Sequence, residues 1–122
     1  MVRITNWRDL EGRQFNAVTT VWSDLISDDG FKANAGIGSY GAIPEGKTPE
    51  ELAHADRDVE LYYVIKGSGS LYVGGEGTRS IAEGDAFALP PLAHFIWSDS
   101  PDEPVLVYYV ALVGSGAAYA TE

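Results

Sequence analysis

The sequence predicts an all-β domain, and three observations carry that reading. Glycine and proline interrupt the chain about every eight to twelve residues, the rhythm of short antiparallel strands joined by turns. Between the interruptions lie stretches rich in Val, Ile, Tyr, Phe and Trp, residues that suit a pleated, half-buried surface. A helix-start pattern occurs at one place only, and it is short.

In chain order, strands are expected over residues 14–24 and 35–43, with Asp28-Asp29-Gly30 supplying the positive φ of a tight reversal between them. Thr48-Pro49-Glu50-Glu51-Leu52 then reads as a single helical turn. Thr48 is the N-cap, Pro49 fits the first helical position, and Glu51 stands where a capping-box carboxylate reaches back to the cap. Further strands are expected over 59–66, 69–74, 78–82, 85–89 and 94–98, with Gly74-Gly75-Glu76-Gly77 as a hairpin turn. Ser100-Pro101-Asp102-Glu103-Pro104 cannot lie inside a strand, because its two prolines donate no ladder hydrogen bond. The last strand, 105–113, is apolar at all nine positions and lacks the polar alternation of a strand with one wet face. Such a strand is buried on both sides, either inside the barrel wall or against a partner subunit; in so small a protein the partner is the simpler explanation, so a homodimer is expected.

Composition narrows the function classes. A chain of 122 residues is one compact domain without linker, repeat or low-complexity tract, so residues 1–122 form a single unit. Its 45% hydrophobic and 21% charged residues are a globular balance. With 8 basic and 18 acidic residues the formal charge is −10, which disfavours nucleic acid and anionic membrane surfaces as partners. The absence of cysteine excludes disulfides, thiolate metal sites and thiol catalysis. Met1–Asp9 has no signal-like apolar stretch, and the nine-residue run at 105–113 is far short of the roughly 20 a spanning helix needs, so a cytoplasmic location is expected.

Two segments carry candidate chemistry. In His54-Ala55-Asp56-Arg57-Asp58-Val59-Glu60, an extended backbone would put His54, Asp56, Asp58 and Glu60 on one side. Alone, the segment reads first as a solvated strand face; the alternative is a divalent cation that offsets the carboxylates' mutual repulsion. The second segment, Glu83-Gly84-Asp85-Ala86-Phe87-Ala88-Leu89-Pro90-Pro91-Leu92-Ala93-His94, holds the other of the chain's two histidines. A histidine after a proline-rich turn is by itself more often packed than ligating.

Taken together, the two segments resemble the two-part pattern of the cupin superfamily. In the first part, about 44–67, His54 occupies the first histidine position and Asp56 the second, and Glu60 and Gly67 keep the family's six-residue gap. In the second, about 84–98, Gly84 and Pro90 keep a five-residue gap, His94 follows one residue early, Leu92 replaces a glycine and Ser98 stands at the terminal Asn position. The resemblance implies a double-stranded β-helix, or jelly-roll, barrel with a metal inside it. The implied ligands are His54, Asp56, Glu60 and His94, with Glu60 also a candidate general base; a second register would leave His54, Glu60 and His94. An oxygen-rich set of this kind favours Mn or Fe, with Zn or Ni as alternatives. Asp58 is left over as an exposed or hydrogen-bonded carboxylate.

Strand parity from Glu60 turns Tyr62 and Val64 inward, and parity from His94 turns Ile96 inward and Phe95 and Trp97 outward. Tyr62 is therefore the candidate substrate-binding hydroxyl. Lysine and arginine are scarce, so a small neutral, aromatic or carbonyl-bearing molecule suits the interior better than a phosphorylated one. The family resemblance implies a metal-dependent enzyme acting on a small organic molecule, first a non-haem dioxygenase-like oxygenase. The alternatives are an isomerase, lyase or cyclase, or a non-catalytic small-molecule or metal-binding barrel.

Overall fold

The computed structural model describes residues 4–16, 18–26, 33–56, 58–112 and 114. The described strands are β1 (Arg13–Gln14), β2 (Thr19–Ile26), β3 (Ala33–Tyr40), β4 (Glu60–Lys66), β5 (Ser68–Val73), β6 (Gly77–Ala82), β7 (Ala86–Leu89), β8 (His94–Ser98) and β9 (Val105–Leu112), with one short helix, α1 (Pro49–Leu52). They pair antiparallel into two sheets, β1-β2-β3-β9-β4-β7 and β6-β5-β8. The all-β expectation holds, and two antiparallel sheets enclosing one core fit a jelly roll. No described helix is long and apolar enough to cross a membrane.

The core follows from strand parity. On β4 the buried residues are Tyr62 and Val64, with Leu61 and Tyr63 facing outward, as a period of two requires. Val64, Val105 and Val107 are fully buried and meet Leu71, Val73, Ile81, Leu89 and Ile96 between the sheets. Gly69 lets the layers approach: a Cβ there would lie 2.1 Å from the Trp97 carbonyl oxygen and 2.6 Å from a Val105 methyl.

The expected strand 14–24 is two strands, broken where Asn16 accepts hydrogen bonds from Val18 and Thr19 through its side chain. A 3-10 turn at Trp7–Asp9, unforeseen in the sequence, docks Trp7 edge-on against Trp22 of β2 at 4.9 Å. The hairpin glycines Gly75 and Gly77 do take positive φ, as does Gly84 before β7. The expected turn at Asp28-Asp29-Gly30 and the end of the last strand at Val113 lie outside the described residues.

Strand β9 is central in the barrel wall, hydrogen-bonded to β3 on one side and β4 on the other, one of the two placements its apolar run allows. Its inward residues Val105 and Val107 are fully buried, while outward Leu106, Tyr108, Val110 and Leu112 stay half-buried. Beside them Leu61 and Tyr63 are 43% and 48% exposed. The expected homodimer would rest on this strip.

Helix α1 forms as its sequence dictates. The Thr48 hydroxyl accepts from Glu51 N–H and the Glu51 carboxylate accepts from Thr48 N–H, a closed capping box with Pro49 at the first helical position. Thr48→Ala should therefore lower stability by about 1 kcal/mol in urea denaturation, with an unchanged m-value.

Candidate metal centre

The backbone brings the two histidines together. His54 N–H donates to the His94 carbonyl (3.2 Å) and His94 N–H to the His54 carbonyl (3.0 Å), an antiparallel bridge outside the named strands. Residues paired in this way point their side chains to the same face, and the two imidazoles lie with centroids 5.5 Å apart. The segment from His54 to Glu60 is not one strand: β4 begins at Glu60, and His54 is held by the bridge alone. The expected single face of four side chains is therefore corrected. Asp58 turns aside to accept a hydrogen bond from the backbone N–H of Gly114 (3.0 Å).

Asp56 sits between the imidazoles. One carboxylate oxygen is 3.6 Å from His54 Nε2 and the other 3.3 Å from His94 Nε2. Glu60, Tyr62 and Tyr40 line the same cavity as Asp56 and interact electrostatically with one another, so polar groups extend from His94 to Tyr40 on β3. Asp56, Glu60 and His94 offer ligating atoms that all lie within 4.8 Å of one another. His54 stands beside this trio, joined to it through Asp56.

The two carboxyls are driven apart electrostatically. Burial pushes Glu60 up, and the hydrogen bond and negative charge of Asp56 push it further, to about 9. Burial also acts to raise Asp56, but hydrogen bonds from His94 and Glu60 and the two imidazoles outweigh it and hold Asp56 below the usual carboxylate range. One proton thus resides on Glu60 and the charge on Asp56. Burial, reinforced by neighbouring tyrosine and carboxylate charge, raises Tyr40 and Tyr62 as well, so both phenols keep their protons.

The donor set fits a cation. The Leu92 carbonyl lies 3.0 Å from His94 Nδ1, and since a carbonyl can only accept, Nδ1 carries the hydrogen of that bond. Nε2 is left facing Asp56, a gap that takes a proton or a metal ion. Glu60 Oε1 is buried with no hydrogen-bond partner, and a buried orphan oxygen in such a trio is what a bound ion would satisfy. Two oxygens and one nitrogen form a hard set suited to Mn(II) or Fe(II).

These groups line a cavity of about 150 Å³. Its apolar wall includes Val21, Phe95, Ile96 and Tyr109, with Phe15 against the His54 ring at 5.3 Å. Gly36 on β3 admits Tyr109: a Cβ there would lie 2.6 Å from the Tyr109 hydroxyl oxygen. Phe95, expected to face outward, is instead only 3% exposed, stacks on Trp97 and is among the residues that line the cavity. Tyr62 lines the cavity as parity required. Sequence reasoning did not single out Tyr40, Thr19 or Arg13, which also line it; Arg13 carried one usable signal, a guanidinium in a cation-poor chain.

A family profile described as a cupin domain matches residues 40–111. The fold is similar to that of ectoine synthase from P. lautus, with 18% identity, a TM-score of 0.70, and coverage of 98% of this chain and 85% of that one. It is also similar to the polyketide cyclase RemF from Streptomyces resistomycificus, with 20% identity, a TM-score of 0.72, and coverage of 100% and 94%. KdgF from Halomonas sp. follows with 14% identity, a TM-score of 0.66, and coverage of 92% and 94%. At these identities the likeness shows the fold alone. Among curated proteins, none matches the chain.

Proposed function

The chain belongs to the cupin domain family, and from that premise we propose that it is a metal-dependent enzyme that moves protons on a small organic molecule, in a cyclisation, isomerisation or elimination. One observation carries the reading: two carboxyl groups and an imidazole offer ligating atoms within 4.8 Å of one another in a cavity large enough for a small substrate. Asp56, Glu60 and His94 would hold the ion, Mn(II) or Fe(II) by preference. A divalent ion there supplies Lewis-acid polarisation of a substrate oxygen.

The chain's other groups divide the remaining work. Tyr62 keeps its phenolic proton and lines the cavity as the candidate substrate-binding hydroxyl. His54 stands at the cavity wall beside Asp56, with its side chain 40% exposed, and is the group placed to accept a proton from bound substrate. Val21, Phe95 and Ile96 exclude water from the reacting end. That a polyketide cyclase and a synthase share the fold is compatible with ring closure. The oxygenase expected from the family resemblance is the alternative, with His54 beside the Asp56–Glu60–His94 trio as the further expected ligand.

The test is a dual readout on Mn(II)-loaded protein in D₂O with a panel of small enolisable carbonyl compounds. Solvent deuterium incorporation, water loss or ring closure without oxygen uptake is expected, slowed in His54→Ala while the ion stays bound. Oxygen consumption would replace this reading with the oxygenase. Ligand binding without either signal would leave a non-catalytic barrel.

A further inference from the structure

The proton-transfer reading leaves one charged group on the cavity wall without a task. Arg13 lies opposite Val21 in the β1–β2 pair, and opposed residues of an antiparallel ladder share a face. Its side chain therefore runs with Val21 and Thr19 on the inward side, and Arg13 is the one lysine or arginine among the described residues lining the cavity. In a chain with 18 acidic and 8 basic residues, Arg13 nevertheless makes no ion pair among the described residues. The cavity thus has two unlike ends: the Arg13 guanidinium at its solvent-exposed edge and the Asp56, Glu60 and His94 side chains at the other, with Val21, Phe95, Ile96 and Tyr109 also on its wall.

That polarity selects a ligand class. A carboxylate is drawn to Arg13, whose planar fork matches it with two parallel hydrogen bonds. A single guanidinium has no second cation to balance a phosphate dianion. The Thr19 hydroxyl, buried without a hydrogen-bond partner on the same face, is a further polar contact for the ligand. A cavity of about 150 Å³ is benzene-sized, so the apolar body between the two poles is small. We infer that the cavity takes a small organic monocarboxylate, with its carboxylate on Arg13 and its reacting end at Asp56, Glu60 and His94. The inference rests on the cavity being the active site; the carboxylate contact itself needs no ion.

Titrating benzoate and its neutral counterpart benzamide into the full chain, with and without Mn(II), tests it by calorimetry. Benzoate should bind about tenfold or more tightly than benzamide in both forms, a preference that weakens as salt is raised. Arg13→Gln should erase the preference, Arg13→Lys should keep part of it, and Arg79→Gln on exposed β6 should keep all of it. Equal binding of the two probes, no benzoate binding, or a preference that survives Arg13→Gln overturns the inference. A preference that survives Arg13→Gln but vanishes without Mn(II) would put the carboxylate on the ion, leaving the metal centre intact and discarding the role of Arg13. Failure of Mn(II) to bind, with the Arg13-dependent preference retained, would do the reverse.

Discussion

His94→Ala should abolish stoichiometric binding of Mn(II) or Fe(II) while leaving the barrel folded. His94 supplies the only nitrogen of the Asp56–Glu60–His94 trio, and its Nδ1 contact with the Leu92 carbonyl fixes the ring so that Nε2 points at the carboxylates. Removing it leaves two acids that share one proton, a poor trap for a cation. The fold survives because the bridge between positions 54 and 94 is made by backbone groups, which alanine retains. At a free ion concentration 100 times Kd, wild type should gain about 2.7 kcal/mol. For a domain of this size that gain is a rise in Tm of roughly 10 °C. His94→Ala should show no rise, and elemental analysis should find no ion; His54→Ala, lying beside the trio, should keep both in weakened form. A full complement of metal in His94→Ala would remove this residue from the ligand set and the proposed centre with it.

Much of the fold was legible because local chemistry and global structure agree. Strands β3 to β9 lie within about two residues of the expected limits at nearly every end, since each is bounded by a glycine or proline whose backbone preference the turn uses. The capping box of α1 could be read residue by residue. What could not be read was pairing at long range. Nothing in residues 105–113 says which strands flank β9, so its place between β3 and β4 could not be read from the run itself.

The site divides in the same way. His54 and His94 were found through their spacing to Glu60, Gly67, Gly84 and Pro90, but what joins them is a backbone bridge between distant residues that no period of two can announce. Extending that period through 54–60 gave the wrong face for Asp58, because the strand begins only at Glu60. Tyr40 enters through the pairing of β3 with β9, and Arg13 through that of β1 with β2; both pairings are set by the fold rather than by any local motif.

The metal-free protein should lose stability as the pH rises from about 5 to 9, and Glu60→Gln should remove much of that loss. The ordinary glutamic carboxyl titrates near 4.5, whereas burial and the neighbouring Asp56 push folded Glu60 up to about 9. Between those values the native state holds a proton that the unfolded chain has released, so the unfolding free energy falls with pH. The slope contributed by Glu60 approaches about 1.4 kcal/mol per pH unit. Asp56 has the opposite sign: held low in the fold, it adds stability at neutral pH that is lost as acid protonates it below its ordinary 3.8. The growing negative charge of the whole chain also weakens the fold as pH rises, and both variants share that background, so their difference isolates Glu60. Chemical denaturation at unit pH intervals supplies the comparison. A cation at the trio takes the place of the Glu60 proton, so ion affinity should climb over the same range, with close to one proton released per ion in calorimetry across buffers of different ionisation enthalpy. Parallel curves for wild type and Glu60→Gln from pH 5 to 9, or metal uptake without proton release, would put the proton elsewhere. Glu60 would then not be the group whose proton the ion displaces.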